Sequence, residues 1–177
     1  MLCIFIVNVN YLNLSCMNKS AEYWINHLNL LPHPEGGFYK EVYRSEGSIP
    51  ADSLSDAFDG DRSYATSIYF LLRSEDISKF HILTSDELWF FHDGSPVTIH
   101  QLNKDGVLTS VVLGEDVLQT TISKDVYFGA EVTQPDSYCL VSCVVAPGFD
   151  FADFYMPPKE EMMGLFPEHA SLIERFT

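Results

Sequence analysis

Basic residues are scarce in this chain: 10 Lys and Arg stand against 25 Asp and Glu among 177 residues, a formal charge of −15. Nucleic acids and anionic membrane surfaces are held largely by Lys and Arg, so neither is expected as a partner. The acid excess serves solubility in the ordinary case, and a cation or a cationic substrate is its other use. Long apolar runs are also missing. The uncharged opening stretch, residues 1–16, has an unbroken apolar run only from Met1 to Val7, whereas a membrane span needs ~20 residues. It lacks the basic start and small-residue cleavage site of a signal peptide. Residues 1–17 are expected to be a poorly ordered extension, with an added edge strand as the alternative, ahead of one domain over 18–177. Cysteine is sparse and no CxxC pair occurs among Cys3, Cys16, Cys139 and Cys143, which excludes zinc-ribbon and thioredoxin chemistry. Cys139 and Cys143 share one strand-like run. Four strand residues span about 13 Å, too far for a disulfide. A reduced, cytoplasmic protein follows. No internal repeat and no linker interrupts the chain.

What is present is apolar and aromatic: 46% hydrophobic residues, 13 Phe and 9 Tyr, enough for a packed core. Residues 20–30 place Ala21, Trp24, Ile25 and Leu28 on one helical face. Asn18 or Ser20 can cap the start, and Pro32 and Pro34 end it. Gly36-Gly37 makes a turn into a strand over 38–45. Residues 46–62 are an acidic loop without the spacing of a calcium site, and a long loop of this kind can act as a lid or an interface arm. Beyond it run about eight short strands: 64–72, 79–83, 87–92, 97–102, 107–113, 117–122, 126–132 and 138–146. Turn residues separate them, and this spacing means an all-β sandwich or barrel. After Pro157-Pro158 a helical tail is expected. Met162, Leu165, Leu172, Ile173 and Phe176 would cover one end of the barrel.

Chemistry concentrates in SKFHILTSDELWFFHDGSP. His81 and Leu83 share one strand face, and Glu87, Trp89 and Phe91 share another. A hairpin would bring His81 and Glu87 face to face at the barrel mouth, where His81 could act as a base near neutral pH and Glu87 could orient it or bind a hydroxyl or cation. Glu41 and Tyr43 share a face of their strand and could line the same pocket, with Lys40 and Arg44 on the other face. Trp89 and Phe91 are candidates for ligand stacking, with the core as the alternative. Cys143, at the end of a strand, is a candidate pocket residue whose thiol is inert rather than nucleophilic. His33 and Glu35, before the glycine pair, are expected to serve the turn or an interface.

Three blocks together resemble the cupin superfamily, and more closely its Cupin family five branch: HPEGGFYKEVYRS (33–45), SKFHILTSDELWFFHDG (78–94) and CVVAPGFDFADF (143–154). The resemblance implies a double-stranded β-helix (jelly-roll) barrel with a short N-terminal helix and a C-terminal helical tail, paired as a homodimer and holding a small polar molecule. In the first cupin motif His81 takes the first histidine position, Glu87 the glutamate and Gly94 the closing glycine. Leu83 stands at the second histidine and Glu75 at the leading glycine. In the second motif Phe128 stands at the histidine. With only two of four ligand positions kept, neither a metal nor another cofactor is expected. The resemblance therefore points to metal-free, RmlC-like cupins that use a histidine base and a tyrosine acid in sugar-nucleotide epimerisation or isomerisation. Here the base would be His81 and the acid Tyr43 or Tyr69. A non-catalytic binding or scaffold protein is the alternative, with a metal-dependent dioxygenase or decarboxylase third.

Overall fold

The computed structural model describes residues 19–177. The expectations for residues 1–17, and for Asn18 as a cap, lie outside the described residues. The elements are α1 (Ala21–Leu28), β1 (Leu31–Pro32), β2 (Phe38–Arg44), β3 (Ser48–Ile49), β4 (Arg62–Ser63), β5 (Thr66–Arg73), β6 (Ile77–Leu83), β7 (Asp86–Gly94), β8 (Val97–Leu102), β9 (Leu108–Leu113), β10 (Gln119–Ile122), β11 (Tyr127–Val132), β12 (Tyr138–Ala146), β13 (Phe154–Tyr155), α2 (Lys159–Leu165) and α3 (Ala170–Phe176).

Two antiparallel sheets form the body. One has the order β1-β2-β5-β12-β7-β10 and the other β13-β6-β11-β8-β9. Their inner faces alternate along each strand, as period-two strands require. Phe70 and Leu72 of β5, Val141 and Cys143 of β12, Trp89 of β7 and Ile99 of β8 meet in one buried core. The order overturns one expectation. β6 and β7 do not form a hairpin: they belong to different sheets, so His81 and Glu87 face each other across the sandwich. The Asn103–Val107 turn, by contrast, does join paired neighbours, with Leu102 opposite Leu108.

Both outer faces are partly covered. Ser20 caps α1 by accepting from the Tyr23 N–H, and the helix lays Ala21 and Trp24 over Leu71 and Leu140. The C-terminal helices cover the outer face of the five-stranded sheet, rather than a barrel end. Met162, Ile173 and Phe176 pack with Phe80 and Leu102, the residues on the strand faces turned away from the core. Leu165 was expected in this contact but is 52% exposed, and Phe166 fills its place at 4%. Residues 46–62 form an ordered arm, closed by the β3–β4 pair and fastened by Arg62, whose guanidinium donates to Asp153 at 2.6 and 2.7 Å. Cys139 and Cys143 are free and buried. No helix among the described residues is long and apolar enough to cross a membrane.

Candidate functional site

Strand register decides which side chains enter the space between the sheets. Across β5, β12 and β7, Ile68 opposes Cys143 and Cys143 opposes Trp89. Two residues along, Thr66 opposes Val145 and Val145 opposes Glu87. β2 adds Glu41 beside Ile68 and Arg44 beside Thr66. From the other sheet come His81 and Leu83, with Phe154 paired opposite Leu83. Together with Phe149, Asp150 and Phe151 these residues line a cavity of about 420 Å³.

The segment His33-Pro34-Glu35-Gly36-Gly37 closes the inner end. Gly36 and Gly37 have φ of 117° and 67°, the region where a side chain is strained. A Cβ on Gly36 would run into the Ile77 carbonyl. The turn is tied to β6 by the Lys79 N–H donating to the Glu35 carbonyl at 2.9 Å. It thereby buries the Glu35 carboxyl, which accepts from Ser78 Oγ at 2.7 Å. Glu35 Oε2 lies 3.3 Å from His81 Nε2 and 3.4 Å from His33 Nδ1. His81 Nδ1 is 2.7 Å from the Lys79 carbonyl. A carbonyl only accepts, so Nδ1 carries the proton and the Nε2 lone pair faces the cluster. Phe128 tilts onto the His81 ring, centroids 4.0 Å apart.

Burial governs the charges. It pushes the His81 and His33 imidazoles below their usual value, so both are neutral near pH 7. It pushes the Glu35 carboxyl up, against the pull of His33 and Ser78. Glu87 rises to about 7, first from burial and then from repulsion by Glu35. The Cys143 thiol is held well above its usual range by burial and by the Glu87 and Glu35 carboxyls, so it is not a nucleophile at neutral pH. The Trp89 indole N–H, on a side chain 1% exposed, meets no hydrogen-bond partner of good geometry. It is near enough to Glu87 to favour the charged carboxylate slightly.

Of the residues singled out from the sequence, the structure brings His81, Glu87, Glu41, Trp89 and Cys143 to this cavity. Three others fall elsewhere. A register shift at Val42 separates Glu41 from Tyr43, so period two breaks there. Tyr43 turns outward, 55% exposed, and Arg44 turns in. Tyr69 lies on the outer face under α1, edge-on to His92. Phe91 is only partly buried, against the edge of the core, and does not line the cavity. Conversely, His33 and Glu35 are cavity residues, not turn residues alone. Their signal was a histidine and a glutamate immediately before two glycines whose tight turn must tuck against another strand.

A metal does not fit these donors. Among the described residues no three His, Cys, Asp or Glu side chains converge in a metal-binding arrangement. Beside His81 stand Leu83, which has no donor, and Phe128, which covers its ring; the second imidazole, His33, has its Nδ1 taken up by the Glu35 N–H and carboxyl.

The two-sheet jelly roll and its cavity define a cupin, and residues 22–157 match the family described as Cupin superfamily (DUF985). The chain belongs to that family. It is 35% identical to a hypothetical protein from Leishmania major whose structure superposes with a TM-score of 0.81, covering 89% of this chain and 98% of that one. An uncharacterised protein of Saccharomyces cerevisiae is 30% identical over 86% of this chain and 84% of its own length. The oxalate decarboxylase of Bacillus subtilis, 13% identical at a TM-score of 0.53 over 82% of this chain and 36% of its own, shares the fold alone.

Proposed function

We propose that this cupin binds a small molecule in the cavity between its sheets and shifts a proton on it, a metal-independent isomerase-type reaction. The observation that supports this most is the pairing of a neutral imidazole with a protonatable carboxyl inside one aromatic-walled space. His81 Nε2 offers a lone pair, and Glu87, with a pKa of about 7, still holds a proton at neutral pH. Two groups whose environments pull them toward opposite protonation states are suited to base and acid roles. His81 would take a proton from carbon next to a carbonyl. Glu87 would give one to the carbonyl oxygen, leaving for an α-hydroxy carbonyl an enediol; the Glu87 carboxylate then takes the proton of the neighbouring hydroxyl while the His81 imidazolium returns its proton to the former carbonyl carbon, which moves the carbonyl by one position. The Lys79 carbonyl, accepting from His81 Nδ1, holds the ring in place. The acid role passes to Glu87 because Tyr43 and Tyr69 do not reach the cavity. Among the described residues a nucleotide diphosphate would meet one guanidinium here, Arg44, already closed on Glu41 at 3.0 and 2.6 Å. A substrate without the nucleotide fits this cavity better.

The test is solvent hydrogen exchange. A panel of α-hydroxy and α-amino carbonyl compounds is incubated with the protein in deuterium oxide and followed by proton NMR. Wild type should exchange the hydrogen next to the carbonyl of at least one compound, and His81→Gln, with its melting curve intact, should not. Binding without exchange would make this a non-catalytic binding protein.

A further inference from the structure

The cavity is acidic as well as aromatic. Four carboxyls line it, Glu35, Glu87, Glu41 and Asp150, against one guanidinium, Arg44. That guanidinium is engaged by Glu41 on one side and by the Phe149 carbonyl at 3.1 Å on the other. Among the described residues no Lys or Arg reaches the inner end, where Glu35 and Glu87 are 6% and 7% exposed and both imidazoles are neutral. An anionic ligand would have to be desolvated there with no counter-charge. A cation would gain a carboxylate partner and the faces of Tyr39, Phe70, Phe149 and Phe154, which line the same space. Aromatic faces attract ammonium groups, more so away from water. Trp89 also lines the space, with its indole N–H buried beside Glu87.

From these features we infer that the ligand is a small organic cation of the α-amino ketone class: the carboxyls and aromatic faces take its primary ammonium, and its carbonyl is the one on which the proton shift acts. The inference rests on the cavity being the binding site and deepens the preceding reading by naming its substrate. One carboxyl of the Glu35–Glu87 pair takes the ionic partnership, and like-charge repulsion keeps the proton on the other for the acid step. His81 removes the proton on the carbon next to the carbonyl. The electron pair of that C–H bond becomes the enol double bond, and the carbonyl oxygen takes the proton from the carboxyl. No oxidant or reductant is needed.

Titration calorimetry at pH 7 with three matched probes tests this: 2-aminoacetophenone as its ammonium, neutral 2-hydroxyacetophenone, and anionic benzoylformate. The ammonium should bind at least tenfold tighter than the hydroxyl compound, and benzoylformate weakest. Equal or tighter binding of the neutral or anionic probe, or no binding of any probe at millimolar concentration, would overturn the inference. Tight anion binding together with His81-dependent exchange would overturn the ammonium while leaving the proton-transfer reading in place.

Discussion

His81 Nε2 stands 3.3 Å from Glu35 Oε2 while the opposite ring nitrogen, Nδ1, is anchored to a backbone carbonyl at 2.7 Å. That geometry holds the imidazole in one tautomer. Nitrogen-15 NMR of the protein labelled at histidine should show His81 neutral at pH 7 with the proton on Nδ1, and its titration should fall below the ordinary histidine range, because burial disfavours the imidazolium. A His81 that is cationic at pH 7, or protonated on Nε2 alone, would remove the base from the proposed reaction.

Glu87 makes stability depend on pH in a direction opposite to most carboxylates. Its folded pKa, about 7, is raised from 4.5, so between those values the folded state binds more protons than the unfolded one. Stability contributed by the protonated carboxyl is therefore complete below about pH 4.5 and is lost as pH rises through 7. The full loss is on the order of 3 kcal/mol at 1.4 kcal/mol per unit. His33 and His81, with lowered values, act the other way below their unfolded pKa, so the comparison must be with a variant. Glu87→Gln should gain relative to wild type between pH 5 and pH 8 in urea melts. A difference that stays flat over that range would place Glu87 in contact with water and ions.

Much of this arrangement was legible in the residues. The strand runs, the α1 face with its Ser20 cap, and the inward set His81, Glu87 and Trp89 follow from period two and from turn residues at fixed intervals. The rest depended on facts that alternation does not carry. One extra residue at Val42 exchanges Tyr43 for Arg44 on the inner face. The short link from Leu83 to Asp86 looks like a hairpin turn, yet the chain changes sheets there. His33 and Glu35 lie more than forty residues from His81 in the chain, and only the docking of the glycine turn against Ile77 and Lys79 brings them to it.

Assembly is the next expectation. Residues 40–44 of β2 pair with β5 on one side, and among the described residues no strand pairs with them on the other. Val42, Tyr43 and Tyr64 are 48%, 55% and 58% exposed. An open strand edge with apolar side chains invites a second copy, and we propose a homodimer through it. Light scattering should return twice the 20.0 kDa of one chain, and Val42→Lys should halve it. A monomer at every micromolar concentration would sink this reading.

The last expectation concerns what holds the cavity wall. Phe151 and Phe154 line the cavity, and Asp153 lies between them. The Asp153 carboxylate is gripped by both Nε and one terminal nitrogen of Arg62, with side chains 5% and 4% exposed. Asp59 adds a third contact to the guanidinium from a position 77% exposed, where an ion pair contributes little. Arg62 also sits 5.6 Å from the Phe58 ring centroid, so the arm and the wall meet at this one cation. Removing a single partner leaves the other charge buried and alone, which costs roughly 3–5 kcal/mol. The arm that seals the pair is thin, which favours the lower end. Arg62→Met should therefore destabilise by about 3 kcal/mol and weaken ligand binding, because Phe151 and Phe154 lose their anchor. Arg62→Met combined with Asp153→Leu removes both charges and should recover most of that stability, since apolar replacement of a buried pair is often neutral. Urea melts with unchanged slope distinguish the cases. If the double variant is as unstable as the single one, the contribution of Arg62 lies in packing against Phe58 and not in its charge.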